Sequence, residues 1–232
     1  MVRSTLPSRP GVDEGGASAA SERAAEGRAR ILDAAEELMA ERGAFAVSLR
    51  EINTASGQRN ASGVQYHFGG REGLIQALVE RHMTVVDARR NALVDALEAE
   101  GRTDDVRALV RALVEPLAER LTTPSGRRYL RILPQLAGHE EGSFALANRS
   151  LVRVGHHLSV CVADLPPRLT AERTAQVASF LLQALADHAR RVDEGRGRAP
   201  VGRELFVSNL VDVLVVVVSA PASPETRRLL QR

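Results

Sequence analysis

The side chains best placed to do chemistry in this chain cluster between Ser48 and Arg71, and the chemistry they suit is hydrogen bonding rather than bond cleavage. Asn60, Ala61, Ser62 and Gly63 are small and consecutive, so a backbone carrying them can come close to another surface. Gln65, Tyr66 and His67 follow on the next turn with an amide, a phenol and an imidazole, while Val64 and Phe68, four apart, would face a core. A glutamine can pair bidentately with an adenine edge, and can equally contact phosphate or water. A tyrosine hydroxyl suits a phosphate oxygen. Nothing comparable points to catalysis: the sequence has no Gly-rich phosphate loop, no His-Glu-x-x-His and no nucleophile elbow.

Residues of this kind need short, rigid supports, and the surrounding pattern supplies them. From Glu22 the apolar positions Ile31, Ala34, Ala35, Leu38 and Met39 fall on one helical face, and Gly43 is placed to end that helix. Ser48-Leu49-Arg50-Glu51 is a capping box, in which the serine hydroxyl and the glutamate carboxylate satisfy N–H groups that a helix start leaves unpaired. The helix it opens carries Leu49, Ile52 and Ala55 before the Ser56-Gly57 turn. Asn60 is a good N-cap for a third short helix ending at Tyr66-His67-Phe68. After Gly69-Gly70 a long helix places Leu74, Leu78, His82, Val85, Val86, Leu93 and Leu97 along one stripe as far as Gly101. Further helices are predicted over 104–121, 125–138, 143–164, 170–193 and 201–219, with Pro116 and Pro134 expected to kink or interrupt the first two.

Composition agrees with an all-α chain. Of 232 residues 44% are hydrophobic and only 3% aromatic, with alanine, leucine, valine and arginine dominant. A single cysteine, Cys161, excludes an internal disulfide framework and a cysteine-cluster metal site, and it lies on the apolar stripe of Phe144, Ala147, Leu151, Val154 and Leu158. His156 and His157 point to different faces, so no metal is expected, and no segment calls for a cofactor. The formal net charge is +2, every base is arginine, and residues 1–74 hold nine bases against ten acids. Any contact with nucleic acid therefore rests on where the arginines fall, not on bulk charge. Residues 1–21 have no apolar run of the signal-peptide kind and read as a disordered tail. The most apolar stretch, 205–220, is short for a bilayer and contains Asn209 and Asp212, so a cytoplasmic protein without membrane contact is expected.

The segments RARILDAAEELMAERG, VSLREINTASG and VQYHFGGREGLIQAL, in that order, resemble the DNA-binding domain of the TetR (tetracycline repressor) family. The resemblance implies a helix-turn-helix domain over 22–74, an effector-binding and dimerisation domain of helices over 75–220 and a C-terminal tail over 221–232. It implies a homodimer on a double-stranded DNA operator, acting as a repressor that a small-molecule effector releases. The alternative is a DNA-binding regulator answering to a protein partner or to no effector. By the same resemblance Ser48 and Arg71 would clamp phosphates, and the third helix would carry Asn60, Ala61, Ser62, Gly63, Gln65, Tyr66 and His67 to the major groove. The chain departs from the family pattern in a slightly longer segment between Ala55 and Phe68, which leaves the role of Arg59 beside that surface open. It also has Gln65 where the family often has Tyr and Gly63 where it often has Thr. A pocket between the later helices is implied as well, with His82, Tyr129, Asn148 and His156 as its candidate polar contacts.

Overall fold

The structure, a computed structural model, describes residues 14–57, 62–138, 149–162, 165–195 and 201–230. Among them the chain forms ten α-helices: α1 Glu14–Arg42, α2 Leu49–Ala55, α3 Gly63–Phe68, α4 Arg71–Ala99, α5 Val106–Ala118, α6 Pro124–Ala137, α7 Arg149–Cys161, α8 Pro167–Glu194, α9 Arg203–Ser219 and α10 Pro224–Leu229. A single 3₁₀ turn, Glu119–Thr122, joins α5 to α6. No strand occurs among the described residues, as the composition leads one to expect.

Two of the expected ends are different. Residues 14–21, predicted as part of a disordered tail, are the first turns of α1, where Ala17, Ala19 and Ala20 favour the helix and Gly15 and Gly16 do not. The expected C-terminal tail contains α10, started by Ser223, whose hydroxyl accepts from the Thr226 amide at 3.1 Å. The prolines also act less than predicted. Helix α5 continues past Pro116 to Ala118 and then tightens into the 3₁₀ turn, and α6 continues past Pro134 to Ala137. Each proline removes its own bond to the carbonyl four residues back, but only two residues of α5 and three of α6 follow it, so little helix remains to be redirected.

Helices α1 to α3 and the start of α4 pack as a head around Ile31, Met39, Val47, Ile52, Val64 and Leu74, all buried. The remaining helices form a body in which α6 lies against α8 and α9 against α5. Head and body share a seam. Helix α6 bonds across it to the backbone at two places: Gln135 Oε1 accepts from the Ala44 amide at 2.9 Å, and Arg131 Nη2 donates to the Ala40 carbonyl at 2.9 Å. At its centre Glu36 of α1 is fully buried, with His82 Nε2 of α4 at 2.6 Å from Oε1 and the Ser125 hydroxyl of α6 donating to Oε2 at 2.7 Å.

Candidate nucleic-acid interface and body cavity

The short helices of the head are fixed by polar side chains bonded internally. Ser48 caps α2: its hydroxyl accepts from the Glu51 amide at 3.3 Å and donates to Glu51 Oε2 at 2.7 Å, while Glu51 Oε2 accepts from the Ser48 amide at 2.8 Å. These bonds, with a 2.6 Å ion pair from Arg42, hold the Glu51 carboxyl down to about 2. Arg71 reaches back from α4 and donates to the Ala44 carbonyl at 3.3 Å and the Val47 carbonyl at 2.5 Å, tying the loop before α2 to the start of α4. Ser48 and Arg71 thus act here as internal braces, and the phosphate roles implied by resemblance would be additional to these bonds.

Helix α3 begins later than expected. Its N-cap position is Ser62, which makes no side-chain cap bond, and the first-turn donor is met from another helix: Asn53 Oδ1, buried in α2, accepts from the Val64 amide at 2.9 Å. Asn60, expected as the cap, lies with Arg59 and Ala61 outside the described residues. Gly63, expected on the reading surface, is instead buried beside Val64. After α3, Gly69 takes a left-handed φ of 72° and Gly70 a φ of 128°, a corner that side chains rarely adopt. Gly73 closes it. A Cβ there would stand 1.8 Å from the Phe68 carbonyl oxygen.

What remains outward is a compact polar face. Tyr66 is 80% exposed and meets the His67 ring edge-on at 4.9 Å. Gln65 is exposed, its Nε2 only loosely engaged with the Gly69 carbonyl at 3.3 Å, and Ser62 is exposed beside it. His67 is half-buried, and Phe68 packs on the core with the Arg28 guanidinium of α1 lying 5.0 Å over its ring. That last contact brings a cation from the long first helix to the end of α3, a pairing that the charge count could not show.

In the body, a cavity of about 310 Å³ lies between α4, α5, α6 and α8, walled by Met83, Leu117, Leu133, Leu181 and Leu182 among others. Among the described residues Arg90 is the one charged group in its lining. A second space of about 140 Å³ adjoins it, sharing Leu113, Leu151, Ala178 and Leu181 and extending between α7 and α8 to Val218 of α9, with Ser159, Thr170, Arg173 and Thr174 as its polar lining. The expected pocket residues fall unevenly. Tyr129 is fully buried, stacked on the His82 ring at 4.2 Å, and its hydroxyl has no hydrogen-bond partner; burial pushes its ionisation far up, so it stays protonated. His82 is buried but already engaged by Glu36. His156 is exposed and lines neither space, which corrects that expectation, and Asn148 lies outside the described residues. Arg90, missed in the sequence, is 2% exposed. The signal was there: it sits four residues after Val86 and four before Val94, on the buried stripe of α4.

Two short helices set by a glycine turn, the second held from below and presenting a polar outer face, define a helix-turn-helix domain of the kind that enters a major groove. Residues 31–78 match the model of the bacterial regulatory proteins, tetR family, which covers the helix-turn-helix domain and the start of α4. Among solved structures the chain is similar to the crystal structure of RolR in complex with the ligand resorcinol, with 18% identity over 88% of this chain and 98% of that one and a TM-score of 0.43. No curated protein matches the chain.

Proposed function

We propose that the protein is a sequence-specific, ligand-responsive DNA-binding regulator of transcription, a repressor whose operator is released when a small molecule enters the body. The observation that carries the reading is the outer face of α3: Gln65 and Tyr66 point outward because Asn53, Arg71 and the Ser48–Glu51 box supply the bonds that hold the helix from within. The family of its N-terminal domain supports it. Operator half-sites match a dimer, and the surface of the last two long helices supports one. Leu205, Val213 and Val216 of α9 are 62%, 37% and 68% exposed, and Phe180 of α8 is 48% exposed, so apolar area remains to be covered by a second copy. No helix among the described residues is long and apolar enough to cross a membrane, and cytoplasmic action on duplex DNA is the fitting setting.

The test is a titration of a duplex selected from random sequence, at several salt concentrations, with wild type and two variants. Affinity should fall steeply with salt as phosphates are neutralised. Gln65→Ala should lose roughly 1–3 kcal/mol on the selected duplex and little on random DNA if Gln65 reads a base. Tyr66→Phe should weaken both about equally. A salt-independent affinity, or equal binding to random DNA by wild type, overturns the reading.

A further inference from the structure

Arg90 is an anomaly in the body. A guanidinium taken out of water is costly unless an anion and hydrogen bonds replace the lost hydration. Among the described residues no carboxylate pairs with Arg90. Asp87, one turn earlier on α4, is the nearest acid that bears on it, but its oxygens accept from the Ser150 amide and from Asn91, each at 3.3 Å. The only bond Arg90 makes there is from Nη1 to the Ser150 hydroxyl at 3.2 Å, and its Nε is buried without a partner. Burial pulls its ionisation down only to about 10, so it remains a cation at neutral pH. It lines a space of about 310 Å³ whose other walls, among the described residues, are all apolar. The Tyr129 hydroxyl is a second buried donor without a partner, near enough to Arg90 for the guanidinium charge to bear on its ionisation.

A fixed cation whose Nε has no partner, in the wall of an apolar chamber at the small end of the ~300–1,000 Å³ range of organic ligand sites, selects for charge and for size together. We propose that the body cavity takes a small organic monoanion, a carboxylate on an apolar frame, with Arg90 as its anion contact and the apolar walls of the larger space holding the frame. This rests on the ligand-responsive reading above and narrows it to one chemical class. An arginine fork pairs with the two oxygens of a carboxylate, and such charge-assisted bonds are about twice as strong as neutral ones.

The experiment has two arms, both on the full-length protein. In the first, straight-chain and aryl monocarboxylates with up to about ten carbons are compared with their primary amides and amines by calorimetry and by release from the selected duplex. At least one carboxylate should bind about tenfold more tightly than its amide, the difference between a charge-assisted and a neutral hydrogen bond. In the second, Arg90→Met, of similar length but uncharged, is melted without ligand. If Arg90 is kept for an anion, removing its unpaired charge should leave the melting temperature equal or higher, and carboxylate and amide should then bind alike. A variant that melts well below wild type would make Arg90 a structural residue and overturn the proposal, as would a panel in which no carboxylate outbinds its amide. If neutral amides alone release the duplex, ligand response stands and the anion class fails. If DNA is never bound, the functional reading fails while the calorimetry and melting arms still decide the ligand class.

Discussion

Head and body use their buried polar groups in opposite ways. In the head, Asn53 serves the Val64 amide, the Ser56 hydroxyl donates to the Asn53 carbonyl at 2.9 Å, and Arg71 serves two carbonyls. In the body, buried polar atoms without partners recur: Arg90 Nε, Tyr129 Oη and His188 Nδ1 are examples, and none of that kind occurs among the described head residues. A surface that must present a fixed shape to a rigid duplex needs every internal bond made. Of the three only Arg90 lines the spaces described, and a buried polar group left unsatisfied is stabilised by whatever arrives to satisfy it, here the proposed ligand.

The contrast can be broken most forcefully at the proposed dimer face of the body. Val213→Asp places a charge on apolar surface expected to be covered by the second copy, and an unpaired buried charge costs about 3–5 kcal/mol, enough to give monomers in analytical ultracentrifugation. Leu210, three residues earlier, is unsuitable for this test because it is already buried within its own subunit at 3% exposure, so a charge there would unfold the chain. Wild type sedimenting as a monomer at micromolar concentration would remove the dimer from the picture. In the head, Gly73→Ala should be the most disruptive small change, since its Cβ would meet the Phe68 carbonyl at 1.8 Å and neither backbone can yield without moving α3. Overpacking of this sort costs about 1–3 kcal/mol, and duplex affinity should fall even where the variant stays folded by circular dichroism.

A finer cut separates bracing from reading. Asn53→Ala strands the buried Val64 amide and should cost about 1–3 kcal/mol in chemical denaturation, with Asn53→Asp recovering part of it by restoring an acceptor. Equal stability of all three proteins would mean that α3 is held by packing alone. The smallest expected effect is at Glu51, whose carboxyl is exposed. Its ionisation in the folded chain is held near 2, below the ordinary value of about 4.3, so its contribution is complete above that ordinary value and disappears as pH falls through about 2. Glu51→Gln should therefore lower the melting temperature slightly at pH 7 and by progressively less toward pH 2. A difference that does not shrink in acid would show that charge is irrelevant to the box.

What the sequence made legible follows the range of each interaction. The start of α2 is encoded within four residues, Ser48 to Glu51, and was placed correctly, as were Val64 on the core and Tyr66 on the surface. The start of α3 was placed too early, because the group that meets its first turn, Asn53, comes from the preceding helix and carries no signal in the local pattern. Arg90 and Glu36 were passed over for a related reason. Charged residues on an apolar stripe read as interruptions of it, and only the fold shows that α1, α4 and α6 bring Ser125 and His82 to Glu36, or that the helices around Arg90 leave a space beside it. His156 failed in the other direction: a histidine near apolar residues in the sequence turned out to occupy the wet face of α7.

The Glu36 junction has a consequence for heat. One fully buried carboxylate is held by a side chain from α4 and another from α6, while α6 also grips the end of α1 through Ala40 and the loop after it through Ala44. Melting the head would tear His82 and Ser125 from a charge that no water reaches, and melting the body would strip α1 of both neighbours. Neither part has a stable existence to retreat to once the other is lost, so a calorimetric scan of the full chain should give one cooperative endotherm, with two resolved peaks the sign that the junction does not couple them.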